Sequence, residues 1–249
     1  MDFGGRPELF RALVGSHNYN MNTPESDKDY KVFVSPTFDD LYFNKQFSRT
    51  YIGNIEDFDV HDIRKTSNLW WKANVNFVEV LFSEDIIIAE NILPETKKLL
   101  EEMFFMKHDI AMMNLPYLFD ACIGMHITKK KQVNKGTEGT QHLVDKFGYD
   151  TKQAMHSIRI LDFLRRFSRV GFLSFKQAIW YNYEDPGRQY LLDVKGGKYS
   201  KDEYYEMADK IKNDVENNYK QLYKQQEPNK VTNERLLEIV KKIVKIQIL

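Results

Sequence analysis

The sequence predicts an α+β fold, with a strand-containing part over residues 1–92 and a mainly helical part over residues 93–249. Three observations predict it. Strand-like runs rich in β-branched and aromatic residues cluster before Pro94. After Pro94, apolar residues recur at helical spacing. A chain of 249 residues is also long enough for one large domain or two small ones.

Taken in order, residues 3–14 read as a short helix feeding a strand, with Pro7 in the helix's first turn, where its missing N–H costs little. Gly15-Ser16 breaks the pattern, and residues 18–24 carry loop chemistry. Residues 29–34 read as a strand, and residues 58–64 alternate polar and apolar as an edge strand or a strand running into a helix does. Trp70 and Trp71 belong to an amphipathic segment whose rings are read chiefly as packing, with base stacking as the alternative. Residues 74–82 are apolar on both faces and read as a buried central strand interrupted by Glu79.

Helices are expected over residues 95–107, 115–129 and 151–170, with a shorter element over 172–181. Residues 129–141 are basic and polar and read as an exposed loop. A capping-box pattern, Ser200-x-x-Glu203, opens a charged helix to residue 225. Leu236, Leu237, Ile239, Val240, Ile243 and Val244 give a last amphipathic helix over residues 232–249.

Composition bounds the class. Lys+Arg and Asp+Glu are both 36, so any contact with a polyanion needs a local basic patch. The single cysteine, Cys122, excludes an internal disulfide framework and a thiolate zinc cluster and fits a reducing cytosol. No secretory h-region and no apolar run near the ~20 residues of a membrane span is present, so a cytoplasmic protein without a membrane partner is expected.

The chemistry concentrates in one run, from Gly15-Ser16 to Asp27-Lys28-Asp29. Residues i and i+2 of a strand share a face, so Asp27 and Asp29 would be neighbours. Two carboxylates this close repel unless a cation lies between them, and magnesium suits hard oxygen ligands while leaving room for phosphates. Gly15 lets a ligand approach the backbone and Ser16 adds a hydroxyl. Glu79 is the candidate third carboxylate, because an ionised group in a buried segment needs a partner or a metal. An ion pair with Arg64 or Lys72 is the alternative reading. The joint expectation is a metal–nucleotide site.

These residues resemble the DNA polymerase β superfamily of nucleotidyltransferases, whose pattern is Gly-Ser, a spacer, Asp-x-Asp and a later acidic residue. More narrowly, the chain is similar to the RNA-repair-associated nucleotidyltransferases of bacteria and phages. They carry a Gly-Ser-x-x-Tyr-Gly-x-x-Thr-Pro-x-Ser-Asp-x-Asp run, a Leu-Arg-Lys stretch and an Asn-Pro-Asn-x-x-Glu-x-Leu-Phe segment. Here His61-Asp-Ile-Arg-Lys65, residues 74–82 and residues 148–159 supply the matches.

The resemblance implies a polymerase-β-like core, a small mixed sheet with flanking helices, followed by the helical part. It implies NMP transfer from an NTP such as ATP to a hydroxyl acceptor, an RNA or DNA end, by a two-metal route with magnesium, or manganese in its place. By position it assigns Asp27, Asp29 and Glu79 to metal binding and catalysis. It assigns Gly15, Ser16, Arg64, Lys65, Lys152, His156 and Arg159 to the nucleotide. Asn20 stands where the family has Gly, and Asn tolerates positive φ. Lys28 stands where an apolar residue is common.

Other signals are weaker. His61-Asp62 and His108-Asp109 suggest an HD-type hydrolase, which needs further converging ligands. Lys195-Gly-Gly-Lys198 is not a P-loop, because Leu192 stands where the upstream Gly is required. Lys129, Lys130, Lys131 and Lys135 suit either a nucleic-acid backbone or a solvated loop. Two non-catalytic alternatives remain: a nucleotide or nucleic-acid binder, and an interaction protein that docks through its tail helix.

Overall fold

A computed structural model describes residues 2–24 and 26–248. Met1, Glu25 and Leu249 lie outside the described residues, so the tail helix is followed only to Ile248. The chain divides into two compact units, Met1–Asn114 with Pro228–Leu249, and Leu115–Glu227.

The first unit carries a five-stranded mixed sheet of order β3-β4-β2-β1-β5. β1 (Glu8–Val14) leads into the one-turn helix α1 (Gly15–Asn18), and β2 (Lys28–Val34) returns antiparallel to β1. The turn α2 (Phe38–Tyr42) and the hairpin β3 (Ser48–Tyr51) and β4 (Glu56–Asp62) follow, with β4 parallel to β2. Next come α3 (Lys65–Trp71), α4 (Val75–Val78) and a 3-10 turn, Glu79–Phe82. β5 (Ile86–Ile88) pairs with β1, and α5 (Pro94–Phe105) and α6 (Lys107–Met112) complete this stretch.

The two faces of β2 and β4 differ in chemistry. Val32, Val34 and Val60 pack with Phe3 on one face, where Phe47, Tyr51 and Phe58 close the cluster. The opposite face carries Asp29, Lys31 and Phe33 beside Asp57, Asp59 and His61, because paired residues of a parallel ladder point the same way. Phe77 of α4 covers its far end, with its ring 4.8 Å from that of His61.

Two expectations fail here. Residues 3–7 are not helical, and the Pro7 carbonyl instead accepts a hydrogen bond from the Ser35 N–H at 2.9 Å. Residues 74–82 are helical turns and not a strand. Ala73 at φ 46° ends α3, and the Asn74 side chain accepts from the Asn76 N–H to start α4. A short apolar run buried all round looks alike as strand or helix, so its period cannot choose. Trp70 is fully buried and donates its indole N–H to the Phe77 carbonyl at 2.9 Å, which locks α3 to α4.

The second unit is helical, as the sequence predicts. It comprises α7 (Leu115–Gln132), α8 (Gln141–Phe147), α9 (Thr151–Arg169), α10 (Phe175–Ile179), α11 (Pro186–Lys195), α12 (Lys201–Asn218) and α13 (Lys220–Lys224). α9 is the hub, burying Ala154, Ile158, Leu161, Phe163, Leu164 and Phe167. Its Ser157 hydroxyl meets the Tyr204 hydroxyl of α12 at 2.7 Å. Ser200 and Glu203 form the expected capping box at the start of α12. Cys122 is buried in α7, and burial pushes its thiol well up, so it acts as an apolar residue. α7 runs to Gln132, so Lys129, Lys130 and Lys131 occupy a helical last turn, where cations suit the carbonyl end, and not the expected loop. α14 (Lys230–Ile248) returns to the first unit and packs on α5. No helix among the described residues is long and apolar enough to cross a membrane.

Candidate active site

The site begins at the β1–α1 junction. Gly15 has φ +68°, and a Cβ placed there would lie 2.7 Å from Asp29 Oδ2. Both facts call for glycine: the backbone is left-handed, and the space belongs to a carboxylate. The Gly15 N–H donates to Glu79 Oε2 at 3.3 Å. The Asn18 amide donates to the Glu79 carbonyl at 3.1 Å and to Oε2 at 3.4 Å. The carboxylates of Asp29 and Glu79 therefore approach Gly15 from β2 and from the 3-10 turn.

Asn20 has φ +57°, so asparagine does take the left-handed turn that glycine takes in the resembling family. Beyond it, the Thr23 N–H donates to the Ser26 hydroxyl at 2.9 Å and the Ser26 N–H to the Thr23 carbonyl at 2.9 Å. This tight loop delivers Asp27, which is exposed one residue before β2, and Asp29, which is half-buried. Lys28 between them is exposed.

Asp57, which sequence reasoning missed, stands beside Asp29 in the parallel register and accepts from the Gly53 N–H at 3.0 Å. No local pattern marks it; only the pairing of strands almost thirty residues apart brings it here. Farther along this face, Asp59 bonds Lys31 and His61, each at 2.8 Å. Burial raises the Asp59 carboxyl, but the His61 hydrogen bond and the Lys31 charge outweigh it and hold the group well below the usual carboxylate range. His61 also meets the Ser48 hydroxyl through Nδ1 at 3.1 Å.

Arg64 and Lys65 sit at the start of α3. Arg64 donates from Nε and from its backbone N–H to the fully buried Asp62 carboxylate, and from Nη2 to the Lys45 carbonyl. Lys65 lines a cavity of about 340 Å³ with Gln46, His61, Asn68, Leu69 and Phe77.

Gly15, Ser16, Asp27, Asp29, Arg64, Lys65 and Glu79 belong to the first unit, whereas Lys152, His156 and Arg159 belong to the second. The last three follow one another at helical spacing on α9, with the guanidinium-bearing Arg159 only 4 % exposed. Burial pushes His156 well below its usual value, and the charges of Arg159, Lys129, Lys152 and Lys195 push the same way. His156 is therefore neutral inside a cationic patch. Lys129 and Lys195 are additions to the sequence-derived set, contributed by α7 and α11.

Among the described residues, no three His, Cys, Asp or Glu side chains are grouped so as to hold a metal ion. The HD-type reading therefore gains no ligand set. By donor chemistry, the carboxylates of Asp27 and Asp29 suit a hard divalent cation, and Asp57 stands beside Asp29 in the strand register. Glu79 is already engaged by two donors of the Gly15–Asn18 turn.

No curated protein matches the chain. Among solved structures, a nucleotidyltransferase-like protein from Exiguobacterium sibiricum is 12% identical, with 98% of this chain and 70% of that chain covered and a TM-score of 0.28. The family model described as the RNA repair pathway DNA polymerase beta family matches residues 7–240. With Gly15, Asp27 and Asp29 inside that span, the chain belongs to this family of nucleotidyltransferases.

Proposed function

We propose that the chain moves an NMP from an NTP onto a hydroxyl at an RNA end, with a divalent cation at Asp27 and Asp29. The observation that carries the reading is the Asp29 carboxylate set against the side-chain-free Gly15, with Asp27 two residues before it and Asp57 beside it. Magnesium held there would neutralise triphosphate charge and lower the pKa of the acceptor hydroxyl.

The protein's own part is positioning, which dominates phosphoryl-type transfer. Gly15 lets the Asp29 carboxylate lie against the turn where a side chain would displace it, and the Ser16 hydroxyl offers a phosphate a donor. Glu79 holds the turn in shape through the Gly15 N–H and the Asn18 amide, which supports a positioning role for this residue more than ligation. The Lys152, His156 and Arg159 face of α9 is suited to anionic phosphate, and the neutral His156 adds a hydrogen-bonding group without further charge.

Family membership supports a nucleic-acid acceptor, and the name of the family supports RNA. Asp27→Asn with Asp29→Asn should abolish label transfer from any NTP to RNA while circular dichroism stays unchanged. Wild-type transfer by that double variant would remove the site assignment. NTP binding that needs no cation and yields no transfer would instead support the binding-module reading.

A further inference from the structure

The second unit contains a cavity of about 440 Å³ between α7 and α12, within the ~300–1,000 Å³ range of small-ligand sites. It is lined by His126, Lys130 and Lys131 of α7, by Asn134, and by Tyr205 and Lys212 of α12. None of these residues belongs to the site already described. We infer that this cavity holds one ribose-phosphate unit of an RNA strand, with Lys131 and Lys212 on the phosphates and the ribose 2′-hydroxyl donating to His126 Nε2.

The histidine carries the argument. His126 is fully buried, and its Nδ1 lies 3.1 Å from the Ser157 carbonyl, which can only accept. Nδ1 therefore bears the proton, and Nε2 of the neutral ring is an acceptor. That nitrogen has no hydrogen-bond partner among the described residues. Burial lowers the His126 pKa, and Lys130 and Lys212 lower it further against the Ser157 carbonyl, so the ring does not escape by protonation. A buried acceptor left unpaired is costly, and a ligand that brings a donor relieves the cost. Nε2 is closed off from water in this structure, so the hydroxyl reaches it as the side chains over it shift on binding.

The charges select the rest of the ligand. Three lysines line the cavity against one carboxylate, Asp209, which pairs with Lys130. Lys212 bonds Glu216 at 2.7 Å, and Lys131 is exposed with no carboxylate partner among the described residues. The wall is thus net cationic around a hydroxyl acceptor. A ribonucleotide supplies both an anion and a hydroxyl close to it, whereas DNA supplies only the anion. The Tyr205 hydroxyl accepts from the Asn134 amide at 2.9 Å and fixes that side of the cavity.

The inference rests on the reading of the acceptor as RNA, and its test needs neither NTP nor cation. The full chain is titrated, with chelator present, into labelled single-stranded RNA and DNA of the same sequence. Wild type should bind RNA about five- to tenfold more tightly than DNA, the worth of one hydrogen bond. His126→Asn keeps a donor for the Ser157 carbonyl but lacks the distal nitrogen, and should bind RNA and DNA equally. Lys131→Gln with Lys212→Gln should weaken both and flatten the log–log salt slope by about 1.4, for two lost phosphate contacts on a single strand. Because the titration contains neither NTP nor cation, a failure of transfer and a failure of this site are read separately. Equal wild-type affinity for RNA and DNA overturns the inference, as does unchanged binding by the double lysine variant. Displacement of RNA by polyglutamate at equal charge would also overturn it in favour of an acidic protein segment. If His126→Asn fails to fold, the wild-type comparison and the double lysine variant decide.

Discussion

Gly15→Ala puts a methyl group 2.7 Å from Asp29 Oδ2, where ordinary contact begins at 3.4 Å, so the carboxylate or the turn must move by about 0.7 Å. The substitution also places alanine at φ +68°, a left-handed conformation that costs about 1–2 kcal/mol. The two effects separate. Backbone strain should lower the melting temperature by roughly 2–8 °C. Displacement of a group that positions the reacting atoms by most of an ångström should lower the transfer rate on the order of 100-fold. Gly171 provides the control: its φ is +60°, and nothing lies within 4 Å of the Cβ position. Gly171→Ala should cost similar stability and leave transfer intact. The assay is steady-state label incorporation into RNA, normalised to folded protein by circular dichroism. If Gly15→Ala transfers like wild type, or if both variants lose the same activity per folded molecule, the proposed link between Gly15 and Asp29 is wrong.

Glu79→Gln keeps an oxygen for the Gly15 N–H and the Asn18 amide, so it should retain much of the transfer activity, whereas Glu79→Ala should lose it and melt lower by the ~1–3 kcal/mol of orphaned buried donors. Glu79→Gln as inactive as Asp29→Asn would make Glu79 a ligand instead. Asp40 bonds Arg6 Nε at 2.7 Å and caps α2, and chiefly the Arg6 hydrogen bond lowers its carboxyl to about 2. Because the folded value is the depressed one, the stabilisation is full above about pH 4 and is lost as pH falls toward 2. Urea melts between pH 5 and 2 should therefore show a smaller acid-side loss for Asp40→Asn than for wild type; equal losses would refute the assignment.

What the sequence makes legible follows the range of the interactions that decide it. Helices with a long apolar stripe, α9 and α14, are local objects and are readable within a residue or two of their bounds, whereas the capping box fixes the start of α12 but not its end, which falls at Asn218 before the separate α13. The Asp27-x-Asp29 pair is readable because a tight loop and one strand build it. Residues 74–82 mislead because burial on all sides erases the period, and only the left-handed Ala73 and the Asn74 cap betray a helix start. β1 is masked by Pro7, which suggests a helical first turn but sits before a strand. Asp57 enters through strand register and carries no local signal, and Lys129, marked in the sequence only as part of a basic run, joins Lys195 near His156 through helix packing. Glu79 stands out in the sequence as a buried acid, yet its bonds to the Gly15–Asn18 turn appear only in three dimensions.

The most direct measurement is the intact mass of a defined RNA oligonucleotide after incubation with the protein, magnesium and each NTP in turn. The proposed transfer predicts a product heavier by one or more nucleotide monophosphates with at least one NTP, absent with chelator and absent with Asp27→Asn plus Asp29→Asn. RNA of unchanged mass with every NTP, or the same gain in mass from the double aspartate variant, would contradict it.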